Sequence, residues 1–229
     1  MKVRIRFSKT GALVYISHLD IMRYFQKLFR RSDIPVRYSE GFSPHQILSF
    51  SNPLPLGMES EGEYADVELT GSVSTVEALK RLRAESVSQI GIMSFKRLDD
   101  HAENAMAAVR YARYTVSAPI SADDIKSGIE KMLAEENVSV LKKTKKNETM
   151  INIRPLIYEL FWDQESGIIN MLISSGSTDN IKPELVMSAL GRFAGREFDK
   201  KDLIIKRIDQ YTAIDGRIIS LDEVGEDIV

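Results

Sequence analysis

Apolar and polar residues alternate at the start of the chain, with Val3, Ile5 and Phe7 on one side and Lys2, Arg4 and Arg6 on the other. A period of two is that of a half-buried strand. Lys9-Thr10-Gly11 has turn chemistry, and residues 13–16 read as a second short extended piece. The period then changes. Ser17 opens a helix, with Asp20 as its partner in capping the free backbone amides. At about 100° per residue, Ile21, Met22, Phe25, Leu28 and Phe29 share one face, and Arg23, Lys27, Arg30 and Arg31 gather nearly opposite. The helix is predicted to stop near Ser32-Asp33, ahead of Ile34-Pro35. Residues 38–57 are rich in Gly, Pro, Ser and His and read as loops around a short strand at residues 47–50. Residues 63–69 alternate again, with Tyr64, Val67 and Leu69 on an inner face. Ser74 with Glu77 caps a helix that turns Val76, Leu79 and Leu82 inward, and residues 88–95 form a closing strand.

This order, β-α-β-β-α-β, is the ferredoxin-like plan. Residues 98–109 carry no strand or turn signature and read as a linker, with helix as its one regular alternative, after which the plan repeats. Residues 111–117 form a strand, and Ser121 with Asp124 caps a helix with Ile125, Ile129, Met132 and Leu133 on one face. Two hairpins follow, one around the lysine-rich turn at 142–147 and one around residues 163–167. Pro183 begins a helix carrying Leu185, Val186, Ala189, Leu190 and Phe193, Gly195 stops it, and residues 203–208 close the set. The second half therefore holds more strand than one such unit needs. The expected class is α+β, as tandem ferredoxin-like domains with antiparallel sheets. Their expected bounds are 1–97, a linker at 98–109, and 110–229 with a basic hairpin and an acidic C-terminal tail.

Composition narrows the chemistry. The 229 residues are 43% hydrophobic and 28% charged, enough for a core in each half. Cysteine is absent, which rules out disulfides, thiolate zinc sites, a cysteine nucleophile and a chain-held iron–sulfur cluster. No run reaches the roughly 20 apolar residues that span a bilayer, and the opening residues do not form a signal peptide. A cytoplasmic location without membrane contact is expected. Neither Gly-rich phosphate-binding fingerprint occurs, so no cofactor is expected either.

Net charge is only −2, yet the bases are segregated toward the start, while Glu59, Glu61, Glu63, Asp66 and Glu68 crowd residues 51–70. Such segregation builds a basic face on a nearly neutral protein. Arg23, Lys27, Arg30 and Arg31 of the first helix, Arg4, Arg6 and Lys9 of the first strand, and Lys142, Lys143, Lys145 and Lys146 of the hairpin tip are candidate phosphate contacts. Tyr15, Tyr24, Tyr38 and Phe42 lie near enough in sequence to stack on unpaired bases. A solvated helix face with core aromatics is the competing structural explanation.

His18 sits beside Ser17 and Asp20 at the helix start, and His45 ends the loop Tyr38-Ser39-Glu40-Gly41-Phe42-Ser43-Pro44-His45. Folding of that loop over the helix start would bring His18, His45, Asp20 and Glu40 together, and two imidazoles with a carboxylate suit zinc, iron or acid–base work. The spacing matches no metal motif, and capping and loop hydrogen bonds account for the same residues. No metal is expected, with His18, His45 and Asp20 as the candidates. Ser17 lacks the Gly-flanked elbow of a nucleophile and reads as a cap.

A set of motifs spans about the first third of the chain: Arg4-Ile5-Arg6-Phe7-Ser8-Lys9-Thr10-Gly11, Ile16-Ser17-His18-Leu19-Asp20, Arg30-Arg31, the loop from Tyr38 through Gly41, Phe42 and Pro44 to His45, Pro53-Leu54-Pro55-Leu56-Gly57-Met58-Glu59-Ser60, and Glu63-Tyr64-Ala65-Asp66. In these the chain resembles the radical SAM-linked protein family, a bacterial domain whose genes accompany, or are fused to, a radical SAM enzyme. Asn152-Ile153-Arg154-Pro155 and the acidic Asp215-Gly216 tail are similar too. Family members follow the loop histidine with Pro and Lys, where this chain has Gln46-Ile47, so that lysine's contact has no counterpart. The resemblance implies a radical SAM enzyme as partner. Such an enzyme needs cysteine thiolates for its cluster, so this chain's implied role is accessory rather than enzymatic. Duplicated ferredoxin-like domains also resemble the repeat-associated RNA-processing proteins of bacterial defence systems, an analogy of fold alone. The expected function is to bind and present RNA, tRNA or rRNA, for modification. The alternatives are a protein-docking module using the apolar stretch 50–56 without nucleic acid, and a small metal-dependent hydrolase around His18, Asp20 and His45.

Overall fold

The alternating start of the chain is strand β1 (Lys2–Lys9) in the computed structural model, which describes residues 1–143 and 148–229. After it come α1 (His18–Arg31), β2 (Leu48–Phe50), β3 (Glu59–Glu68), α2 (Thr75–Glu85) and β4 (Ile92–Arg97). Strand β1 lies between β3 and β4, antiparallel to both, and β2 pairs antiparallel with β3. One face of this sheet presents Val3, Ile5, Phe7, Ala65, Val67 and Phe95 to Ile21, Phe25, Leu28 and Phe29 of α1 and Ala78 and Leu82 of α2. Phe25 is the hub of the aromatic packing, with ring centroids 4.7 Å from Phe7, 5.5 Å from Phe50 and 5.8 Å from Phe29. Tilted and edge-on contacts of this kind add to the area they bury.

Three local expectations change. Residues 13–15 are not extended but belong to a 3-10 turn, Gly11–Tyr15, entered through Gly11 at φ +57°, and only Ile16 after it is extended. Val76, expected inward, is exposed, and Ala78 takes its place in the core. Strand β3 does not alternate: every residue from Gly62 to Val67 is buried, because both of its faces are covered. Its second face meets a separate cluster of Tyr64, Ala105, Ala108, Val109 and Leu221.

The second unit is residues 110–208. It contains β5 (Tyr111–Ser117), α4 (Ala122–Ala134), β6 (Ser139–Lys143), β7 (Glu148–Asn152), β8 (Ile157–Asp163), β9 (Ile168–Ser174) and α5 (Pro183–Phe193). Strand β10 (Ile204–Ile214) begins here. β9 lies between β5 and β8, antiparallel to both. The surplus strand is explained by β6 and β7, which pair only with each other as a two-stranded sheet of their own. Ile125, Ile129 and Met132 of α4 and Val186, Met187 and Leu190 of α5 are buried, as their spacing requires.

The expected domain bounds shift at both ends. Residues 98–109 are not a linker: they belong to the first unit, where Leu98, Ala105, Ala108 and Val109 are buried and α3 (Ala105–Ala108) forms. Residues 209–229 also belong to the first unit and not to the second. Asp215 and Gly216 are no acidic tail but the two-residue turn joining β10 to β11 (Arg217–Ser220), with φ values of +50° and +75°. That left-handed pair is the conformation an Asp-Gly hairpin supplies. Beyond it, Ser94 Oγ donates to the Asp222 carboxylate, and Lys96 Nζ donates to the Asp222 carbonyl at 3.0 Å. Arg97 and Glu226 exchange backbone hydrogen bonds of 2.8 and 2.9 Å, and Ile228 N donates to Thr75 Oγ1 at 2.8 Å.

Candidate functional site

Helix α1 organises the surface that carries most of the candidate residues. Ser17 caps it: the Asp20 amide donates to Ser17 Oγ at 3.2 Å, and Ser17 Oγ donates to the Asp20 carboxylate at 2.6 Å. That hydrogen bond, with the Arg23 guanidinium 3.2 Å away, holds the Asp20 carboxyl below the usual carboxylate range. With Ile21, Phe25, Leu28 and Phe29 turned to the core, Arg23, Lys27 and Arg30 are left on the exposed side.

The loop at 38–46 is anchored to the same helix. Gln46 Nε2 donates to the Gln26 carbonyl at 3.4 Å and to the Tyr38 hydroxyl at 3.3 Å. Ser39 and His45 close the loop through a backbone bond of 2.8 Å and a contact of 2.9 Å between Ser39 Oγ and His45 Nδ1. Gln26, Arg30, Tyr38, Pro44, His45 and Gln46 line one shallow cavity of about 150 Å³. At the tip, Gly41 takes φ +109°, a backbone region that side chains avoid, and the following Phe42 is fully exposed. An apolar ring held out in water, on a loop anchored to the helix that exposes Arg23, Lys27 and Arg30, is the notable feature of this surface.

Other candidates fall elsewhere. Arg4 is 1% exposed and forms a two-bonded ion pair with Asp66 at 2.8 and 2.9 Å, so it is not a surface contact. Arg6 is largely covered, its Nε donating to the Glu61 carbonyl at 3.3 Å and its Nη2 lying 3.6 Å from Asp209. Arg31 pairs with Glu85 at 3.3 Å. Lys9 is buried, and Tyr24 is half-buried with its hydroxyl 2.9 Å from Ser86 Oγ. Lys142 Nζ donates to the Asn180 carbonyl at 2.8 Å. The Lys143 side chain, Lys145 and Lys146 lie outside the described residues.

The metal candidates do not converge. The His18 ring stands edge-on to Phe50 at 5.3 Å, whereas His45 is held by Ser39, and Asp20 by Ser17 and Arg23. Among the described residues no group of three His, Asp or Glu side chains is placed to hold a metal ion.

Helix α1 has a second feature at its start. Lys9, His18 and Glu63 line a small cavity with Phe7, Ile21, Phe50 and Leu54. Glu63 and Ser51 escaped sequence reasoning here, because a glutamate on an alternating strand reads as its solvent side, and a serine before Asn-Pro reads as turn. Burial pushes the Lys9 amine below the usual lysine range, against the pull of Glu63, and His18 is pushed down by burial and by Lys9.

Element order and pairing define a mixed α+β protein built on antiparallel strand pairs with five α-helices among the described residues. The chain belongs to the family described as "Uncharacterized protein conserved in bacteria (DUF2344)", matched over residues 2–183. No curated protein matches the sequence. Among solved structures it is similar to a chain of the "Crystal Structure of a Cbf5-Nop10-Gar1 Complex", at 8% identity and a TM-score of 0.47 over 91% of this chain. The match takes in 48% of that chain, so this protein spans about half its length. Among the described residues no helix is long and apolar enough to cross a membrane.

Proposed function

We propose that the protein is a cytoplasmic, RNA-binding accessory subunit of a radical SAM enzyme, presenting tRNA or rRNA for modification. The observation that carries this reading is the exposed row of Arg23, Lys27 and Arg30 beside the loop that holds Phe42 out in water. Cations set at helical spacing neutralise backbone phosphates, and an exposed ring gives an unpaired base a stacking platform. The contacting set is therefore smaller than sequence alone suggests: Arg23, Lys27, Arg30, Tyr38, Phe42 and His45. Each unit is read as ferredoxin-like, the second with β6–β7 inserted. The strand orders β4-β1-β3-β2 and β10-β5-β9-β8 support this, with a helix at each crossover. The radical chemistry is assigned to the partner, since this chain has no cysteine for a cluster.

Gel shifts with bulk bacterial tRNA test the reading. Binding should weaken with salt at a slope of about −2 in log K against log salt, as three phosphate contacts on a single strand require. Reversing Arg23, Lys27 and Arg30 to Glu should abolish the shift, and Phe42→Ala should weaken it about tenfold, the value of one stacked base. A folded triple variant that still retains tRNA removes the proposal.

A protein-docking surface is the second reading, favoured by Tyr15, Leu19 and Leu56, which are 73%, 56% and 64% exposed. Tyr15 and Leu56 are neighbours, since Gly57 N donates to the Val14 carbonyl at 3.0 Å. Phe50, first assigned to that patch, is instead in the core. Co-purification with the radical enzyme and no nucleic acid in the ultraviolet spectrum would favour this reading.

A further inference from the structure

The cavity between α1 and the loop at 38–46 holds a buried polar group that phosphate contacts and stacking leave unused. Gln46 is 6% exposed, and both hydrogen bonds of its amide, to the Gln26 carbonyl and the Tyr38 hydroxyl, are made by Nε2. A carbonyl only accepts, which fixes Nε2 on that side and leaves Oε1 on the other. Oε1 is buried too, and among the described residues no donor meets it. A buried amide oxygen without a partner is costly, and native proteins leave few of them. The same cavity is lined by Arg30, which has no ion-pair partner among the described residues, and by Tyr38, whose hydroxyl oxygen accepts from Gln46 and so keeps its hydrogen to give. It measures about 150 Å³, where a single water needs only about 10–15 Å³, so a planar ring has room. The two Nε2 bonds, 3.4 and 3.3 Å, are longer than the usual roughly 2.7–3.2 Å, which leaves the amide slack to turn Oε1 toward a group in the cavity.

We propose that this cavity takes the base of one unpaired pyrimidine nucleotide, with Gln46 as the residue that selects it. The inference rests on the RNA reading and deepens it. The cavity offers one acceptor, Gln46 Oε1, and two donors, the Tyr38 hydroxyl and the Arg30 guanidinium. The pairing edges of cytosine and uracil each carry one donor and two acceptors, which is the complement. Guanine reverses the count, with two donors and one acceptor. Adenine has a single acceptor on that edge, so one donor of the cavity stays unpaired. Bases of single strands are recognised at such edges once they are splayed out of a stack. A site built to hydrogen-bond one edge rejects another chiefly because its own polar groups are then left unmatched.

Fluorescence anisotropy with labelled single-stranded RNA homopolymers of U, C and A, equal in length, tests the site on the intact protein. U and C should bind about tenfold tighter than A, the discrimination of one good base contact. Gln46→Met keeps the length of the side chain and removes its acceptor. With circular dichroism matching the parent, it should bind U and C about tenfold less well and A as before. A Gln46 that only anchors the loop would weaken all three alike, and that result overturns the proposal. So does a preference for U and C that survives in Gln46→Met, since strand stiffness alone would give it. Tyr38→Phe retains the ring and loses one donor, so it should narrow the same preference even where Gln46→Met does not fold. Equal binding of the three by the parent protein overturns the pyrimidine site and leaves the RNA reading standing, whereas binding of none removes both.

Discussion

Single residues show where a local pattern misleads. Arg4 has the spacing of a solvent-side base, and the strand period does place it opposite the main core. That side is closed, however, by residues distant in sequence: Arg4 Nη2 donates to the Glu103 carbonyl at 3.1 Å, and the Asp66 carboxylate also accepts the Ala105 amide at 2.7 Å. Replacing Arg4 by Met leaves a buried carboxylate without its charge partner, so urea unfolding should show a loss of about 3–5 kcal/mol. His18 makes a pH-dependent prediction. The folded chain holds its proton less tightly than the unfolded value of 6.5, so between the depressed value and 6.5 the unfolded chain binds the extra proton. Stability should fall as pH drops through that window, and His18→Gln should flatten the decline in urea midpoints between pH 7.5 and 5. The burial of Arg4 was not readable from its neighbours. A period tells which side a side chain takes, not what covers that side.

Elements were the most legible level. Ser17, Ser74 and Ser121 each accept from the amide three residues on, as their spacing predicts. Ser17→Ala should cost about 1 kcal/mol in thermal unfolding, the usual value of such a cap. The 3-10 turn at Gly11–Tyr15 was missed because a short apolar run has no period to separate turn from strand. Helix-to-helix approach was also silent in the sequence. A Cβ on Gly128 of α4 would lie 2.8 Å from the Ala194 Cβ and 3.2 Å from its backbone nitrogen, just past α5. Gly128→Ala should therefore destabilise the second unit by about 1–3 kcal/mol through forced separation, despite alanine's better helix propensity. A gain in melting temperature would refute that close approach.

At the scale of the molecule, the order of elements was readable and the grouping of them was not. Residues 98–109 and 209–229 looked like connector and tail because nothing local marks them as core. Yet Tyr64, buried by both, donates its hydroxyl to Asp209 at 2.5 Å, and Ser220 Oγ donates to the same carboxylate at 2.8 Å. Burial and the neighbouring carboxylate push that phenol far above its ordinary range, so it stays a donor at any working pH. Removing residues 222–229 takes away the bonds to Thr75, Ser94, Lys96 and Arg97, each worth about 1 kcal/mol, and should lower stability by roughly 5 kcal/mol.

The first unit is thus written in two stretches of gene with another unit between them. On the ribosome, residues 110–208 emerge as an unbroken stretch and can close on their own. The earlier stretch must wait, with Tyr64 lacking its partners Asp209 and Ser220, until residues 209–229 clear the exit tunnel. A chain cut short near its end is therefore incomplete at its beginning, and quality control would meet it there.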